Sequence, residues 1–121
     1  MPKEPGPRVI DFTQMEQASR RLDKYASFAD FYPFYLSQHS DRTCRRVHFV
    51  GTTLGLLAVL LAFSTLNFWW LLAGLVSGYA FAWVGHYFFE KNRPATFTYP
   101  LYSFVGDWVM WKEMLTGKIR F

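Results

Sequence analysis

The chain has 121 residues, which is room for one domain, and its single cysteine excludes an intrachain disulfide. The net charge of +4 could suggest a nucleic-acid partner, but the basic residues cluster beside apolar segments. We therefore expect them to face lipid phosphates, with no nucleic acid bound. The sequence has no glycine-rich phosphate loop, Gly-x-Ser-x-Gly elbow or His-Glu-x-x-His helix, so phosphoryl transfer and serine hydrolysis have no support.

The first third of the chain is polar. Residues 1–12 are rich in proline and charge, which predicts a disordered lead-in to a single membrane domain over residues 13–121. Apolar residues then recur at three- and four-residue steps as far as Tyr32. This spacing predicts an amphipathic helix over about 14–31, which Pro33 should end.

The middle of the chain, residues 47–89, contains no Asp, Glu, Lys or Arg. Because about 20 apolar residues cross a bilayer once, we predict a transmembrane helical hairpin with spans over about 41–64 and 68–90. Ser40 or Asp41 would cap the first span, and the turn would lie at residues 64–67. Small residues at regular spacing predict the contact faces of these helices or of a homodimer: Gly51, Gly55, Ala58, Ala62, Gly74, Gly78 and Ala82.

The last apolar segment is interrupted by Pro100, Gly106 and Asp107. We therefore expect a re-entrant or interfacial C-terminal helix over about 100–116 rather than a third span. The predicted fold class is an all-α integral membrane protein. Basic residues before the first span and after the second place both ends of the hairpin in the cytoplasm by the positive-inside rule.

The three histidines all fall at the predicted cytoplasmic end. His48 and His86 are equally far from a turn near Asn67 and lie on the small-residue faces, so we expect their side chains to meet. His39 can join them only if the chain bends near Ser40, since a continuous helix would put His39 and His48 on opposite faces. Clustered imidazoles with a carboxylate suit non-haem Fe(II). Alternatively, the histidines only donate to carbonyls or phosphates, or His48 and His86 hold haem between them in an electron carrier.

Other polar residues have two or more interpretations. Glu90 lies one turn after His86 and can ligate a metal, hold that imidazole, or form an ion pair with a nearby arginine. Asp107 is either a helix N-cap after Gly106 or a further metal ligand. A substrate carboxylate could be held by basic residues that otherwise serve only topology: Arg42, Arg45 and Arg46.

Three blocks, FYLSQH at 34–39, RVHFVGT at 46–52 and GHYFFEKNRPA at 85–95, resemble the membrane family called domain of unknown function 962. Eukaryotic members of that family are iron-dependent dioxygenases of the endoplasmic reticulum. The resemblance implies Fe(II), dioxygen and a 2-hydroxy fatty acid that is shortened by one carbon. It makes His39, His48 and His86 the expected catalytic iron ligands, with Glu90 in the same block as His86. The membrane would be a bacterial inner membrane or the endoplasmic reticulum, and a non-catalytic membrane adaptor is the alternative.

Overall fold

The computed structural model describes residues 12–13 and 25–121, and within these ranges it contains helices and turns but no strand. Phe12 and Thr13 are helical. The rest of the predicted lead-in, and residues 14–24 of the predicted amphipathic helix, lie outside the described residues. The helices are α1 (Phe28–Ser37), α2 (Arg42–Thr65), α3 (Trp69–Val84), a π-helix (Gly85–Glu90), a 3₁₀-helix (Ala95–Phe97) and α4 (Pro100–Leu115).

Among the described residues, helix α1 begins and ends later than the predicted helix allows. Residues 25–27 are not helical, and Ser27 caps a new helix by accepting a hydrogen bond from the Asp30 amide at 3.2 Å. Pro33 lies inside α1, so the prediction that it ends a helix is wrong. Pro33 and Ala29, whose carbonyl loses its helical donor, are both exposed, so water can solvate that carbonyl. Burial of Phe31 and Tyr35 stabilises the helix on its other face.

Helices α2 and α3 run in opposite directions and are joined by a short turn. The side chain of Asp41 caps α2 by accepting from the Cys44 amide at 2.8 Å, as the sequence allowed. Gly51 lies against Gly78, and Gly55 lies against Gly74. A Cβ added at Gly74 would come within 2.6 Å of the Ala58 Cβ, so this helix pair depends on the absence of a side chain there.

The two long helical segments, Arg42–Thr65 and Trp69–Glu90, are long and apolar enough to cross a membrane. Most of their apolar side chains point away from the rest of the protein. Leu60 is 58% exposed and Val76 is 61% exposed.

Helix α4 occupies the position expected for the C-terminal helix and packs against α1 and α2. The Trp111 indole donates to the Thr53 hydroxyl at 2.9 Å, which ties α4 to α2. A Cβ at Gly106 would lie 2.9 Å from the Tyr35 ring, so this glycine lets α4 approach α1 closely. A core between these elements consists of Phe31, Tyr35, Ala95, Met110 and Met114.

Candidate metal centre

The three histidines come together at one end of the α2–α3 pair. His39 follows α1, His48 lies in the second turn of α2, and His86 lies in the π-helix. Each is buried, with 2–3% of its surface exposed, and one potential ligand atom from each lies within 4.8 Å of the others. The Nε2 atoms of His39 and His48 are 3.2 Å apart. Three buried imidazoles at this spacing are compatible with one bound metal ion.

The chain bends between α1 and α2, and this bend brings His39 to His48. The Glu90 carboxylate holds the bend by accepting from the Ser40 amide at 3.0 Å, from the Ser40 hydroxyl and from the Asp41 amide. The Arg45 guanidinium donates to the His39 and Ser40 carbonyls at 3.0 and 2.8 Å. The bend is therefore fixed by charge-assisted hydrogen bonds from two other segments.

Glu90 thus has a role that the sequence did not suggest. Among the residues that the structure describes, it forms neither a hydrogen bond with His86 nor an ion pair with Arg45, Arg46 or Arg93. Its oxygens instead accept hydrogen bonds from Ser40 and Asp41 in the bend that carries His39. Glu90 is also outside the group of histidines that can share an ion.

Each histidine has an oxygen atom next to its Nδ1. The Nδ1 of His39 lies 2.6 Å from the Tyr35 carbonyl, and that of His48 lies 3.0 Å from the Cys44 carbonyl. The Nδ1 of His86 lies 2.7 Å from the Asn92 side-chain oxygen. Sequence reasoning missed Asn92, which lies six residues beyond His86 in the resembling block.

These three contacts assign the tautomers. Carbonyl oxygens only accept, so each Nδ1 carries the proton and each Nε2 carries a lone pair. The Asn92 oxygen is the accepting end of its amide because its nitrogen donates to the Gln38 carbonyl at 3.0 Å. The Nε2 atoms of His39 and His48 are then two acceptors 3.2 Å apart with no proton between them, and a metal cation satisfies both.

Burial and the neighbouring imidazoles lower the pKa of His39 well below the usual range of a histidine. The ring is therefore neutral at physiological pH. Neutral imidazole is the form that ligates metals, so the protonation state of His39 fits this role.

Gly85 and the π-helix explain how His48 and His86 meet. The glycine contacts between α2 and α3 place Gly85 opposite Cys44, so the backbone positions of His48 and His86 are offset along the helix pair. Their rings nevertheless meet, with centroids 4.8 Å apart, as the sequence predicted. A Cβ at Gly85 would lie 3.2 Å from the Cys44 sulfur and 3.3 Å from the His48 Nδ1. The missing side chain leaves room for the His48 ring. The π-helix, a rare element that is frequent at functional sites, carries His86 beside it.

Asp107 faces the histidine cluster from α4. It lies inside the helix and is not its N-cap, so that alternative is wrong. The Tyr35 hydroxyl donates to its carboxyl group, and burial raises the pKa of Asp107 to about 7. The pKa of Tyr35 is raised well above its usual value by burial and by this carboxyl group, so the hydroxyl stays a donor. Asp107 lies outside the group of three histidines but lines the same cavity.

This cavity has a volume of about 10 Å³ and is lined by the three histidines together with Tyr35, Ser103 and Asp107. That volume is enough for one water-sized group. A porphyrin cannot enter it, and the rings of His48 and His86, with centroids 4.8 Å apart, leave no slot for one. The geometry therefore gives no support to haem between His48 and His86.

An apolar groove of about 310 Å³ runs from His48 and Asp107 between α2 and α3 towards Val59 and Leu71. Its floor is formed by the small residues of the two helices: Gly51, Gly55, Gly74 and Gly78. The distance along α2 from His48 to Val59 is about 16 Å, from the helical rise. The groove is thus long, narrow and polar only at the histidine end.

The three arginines near the bend have protein partners. Arg42 and Arg46 each donate through Nε to the Phe121 backbone oxygen at 2.9 Å. Arg45 donates to the His39 and Ser40 carbonyls in the bend. None of the three lines the cavity or the groove. The structure therefore does not bring them together with the histidines as a carboxylate site.

Comparison with known proteins supplies the family. The profile of the family described as 2-hydroxy-palmitic acid dioxygenase Mpo1-like matches residues 25–119. The chain belongs to this family. The matched region of the Mpo1-like profile includes all three histidines, Asn92, Ser103 and Asp107. No curated protein and no solved structure matched the chain.

Proposed function

We propose that this protein is an Fe(II)-dependent membrane dioxygenase that shortens 2-hydroxy fatty acids by one carbon. The observation that carries the proposal is the convergence of three buried, Nδ1-protonated imidazoles on one point. The family name supplies the reaction class and the 2-hydroxy acid. Imidazole nitrogens, with the Asp107 carboxyl group in the same cavity, are a donor set that suits iron. Bound Fe(II) would supply the redox chemistry of dioxygen activation.

The residues around the histidines have roles in this proposal that follow from their contacts. The Tyr35 and Cys44 carbonyls and the Asn92 amide fix the three ring orientations, which keeps each Nε2 directed at the shared site. Burial by α1 and α4 excludes bulk water, so the oxygen chemistry that bound iron would supply would be shielded from solvent.

The groove is the proposed binding site for the acyl chain. Its apolar walls bury methylene groups, and its polar end at His48 and Asp107 leaves the carboxyl end of the fatty acid beside the histidines. Tyr79, Phe104 and Trp108 supply aromatic surface along it. This arrangement would place C1 and C2, the carbons whose bond is cleaved, at the metal centre.

The outward apolar surfaces of the two long segments support a membrane location. A core helix of a soluble protein would be mostly buried, but only 22% of each apolar window is buried here. The basic residues around the bend favour the cytoplasmic side for the histidines. A homodimer remains a prediction, since the small-residue faces contact each other within one chain.

Product analysis tests the proposal. Purified protein loaded anaerobically with Fe(II) should, on admission of dioxygen, convert 2-hydroxypalmitic acid to a product one carbon shorter. Palmitic acid should remain unchanged. Absence of the shortened product from fully iron-loaded protein would contradict the activity and favour the non-catalytic adaptor.

A further inference from the structure

The hydroxyl group of Ser103 is buried without a hydrogen-bond partner. Ser103 is 2% exposed, and within the part of the chain that the structure describes its Oγ forms no hydrogen bond. Leaving a buried hydroxyl unpaired costs free energy, so natural proteins rarely retain one without a bound group that pairs with it.

The surroundings of Ser103 identify where that bound group would lie. Ser103 lines the cavity of about 10 Å³ that also contains the three histidines. Asp107, one turn further along α4, lines both this cavity and the acyl groove. A ligand whose chain lies in the groove therefore reaches Ser103 only with an atom near its polar end.

The chemistry of the cavity lining favours a hydroxyl group. Ser103 and Asp107 approach the cavity from α4, whereas the three histidines that would hold the metal come from other segments. Tyr35 already donates to one oxygen of Asp107, and the carboxyl group has further lone pairs available. A hydroxyl can donate to Asp107 and accept from Ser103, so it pairs with both.

We propose that Ser103, with Asp107, binds the 2-hydroxyl group of the substrate and thereby distinguishes 2-hydroxy fatty acids from unsubstituted ones. This inference rests on the proposed function. It assigns specificity to a pair of side chains on α4, a helix that contributes none of the three histidines.

The test is a binding measurement without turnover. Iron-loaded protein kept strictly anaerobic is titrated with 2-hydroxypalmitic acid and with palmitic acid, using displacement of a fluorescent fatty acid. S103A should weaken binding of the 2-hydroxy acid by roughly three- to tenfold, the loss expected for one hydrogen bond, with palmitic acid unchanged. S103T, which keeps the hydroxyl, should restore most of the preference.

Ser77→Ala is the matched control. Ser77 lies on α3 outside both cavities, and its hydroxyl donates to the Ala73 carbonyl in its own helix. It should leave both affinities unchanged. Thermal unfolding without ligand gives a second readout, since removing an unpaired buried hydroxyl should leave the Tm of S103A unchanged or higher. A lower Tm would indicate a structural hydroxyl and overturn the proposal.

The outcomes separate this inference from the function on which it rests. If the wild type prefers the 2-hydroxy acid and S103A keeps the full preference, the Ser103 assignment is wrong while the function stands. An equal loss for both acids would also overturn it, because the hydroxyl would then pair with a water or the chain. If the wild type binds neither acid, both proposals fail.

Discussion

The Nε2 atoms of His39 and His48 lie 3.2 Å apart, although His39 lies in the turn after α1 and His48 lies within α2. Both nitrogens carry lone pairs, because the Nδ1 of each ring donates to a backbone carbonyl. Two facing lone pairs repel each other unless a cation lies between them.

Asn92 should control metal affinity without touching the metal. Asn92→Ala removes the acceptor for the His86 Nδ1 and should weaken iron binding about 10- to 100-fold, the usual effect of losing such a partner. Iron titration with a competing chelator measures this. Asn67→Ala is the control, since Asn67 lies in the distant α2–α3 turn, and its amide oxygen accepts from the Trp69 amide. Equal iron affinity in wild type and Asn92→Ala would contradict the assigned role.

Gly85 should not tolerate a methyl group. In Gly85→Ala the new Cβ meets the Cys44 sulfur at 3.2 Å and the His48 Nδ1 at 3.3 Å, so the His48 ring must shift. We expect clearly weaker iron binding in a folded protein. Gly55→Ala makes the same change where the nearest atom is 3.9 Å away, and it should bind iron normally. Identical iron affinities in the two variants would refute this account of Gly85.

Glu90 should matter for stability more than for metal binding. Glu90→Gln weakens the charge-assisted hydrogen bonds to the Ser40 and Asp41 amides, which should cost about 1–3 kcal/mol of unfolding free energy. Thermal unfolding in detergent and iron content measure the two effects separately. Iron should still bind at nearly full occupancy. Loss of iron without loss of stability would instead make Glu90 a ligand.

The groove should set the preferred chain length. Val59→Trp places a large ring in the groove far from the histidines, so it should shift the preference towards shorter 2-hydroxy acids. Affinities for a series of chain lengths provide the measurement. Val50→Trp is the control, because Val50 is 42% exposed and lies outside the groove. An unchanged preference in Val59→Trp would show that the acyl chain lies elsewhere.

The sequence predicted the two long helices, the C-terminal helix and the cap at Asp41, but α1 (Phe28–Ser37) differs from the amphipathic helix predicted over about 14–31. A charge-free stretch, a capping residue and small residues at regular spacing are local signals. In the structure they correspond to the two long helices, the Asp41 cap and the contact between α2 and α3. The end of a helix at Pro33 was predicted wrongly because burial of Phe31 and Tyr35 outweighs the local cost of proline. Tertiary packing of this kind cannot be read from a window of sequence.

The supporting residues of the candidate site were the least predictable. Asn92, Gly85 and Ser103 act through contacts with residues distant in the sequence or with a cavity between helices. The register of α2 against α3 and the π-helix also decide which side chains meet, and neither is encoded in spacing alone. The sequence does show a glycine, Gly85, directly before His86. Its role in making room for the His48 ring becomes clear only from its contact with Cys44 in the structure.

Bound iron is the most direct test of the central claim. Wild type and three variants, His39→Ala, His48→Ala and His86→Ala, are reconstituted anaerobically with Fe(II), freed of loose metal and analysed by mass spectrometry. The account predicts near-stoichiometric iron in the wild type and strong loss in each variant, with circular dichroism showing intact helices. No iron in the wild type, or the same iron content in all four proteins, would contradict it.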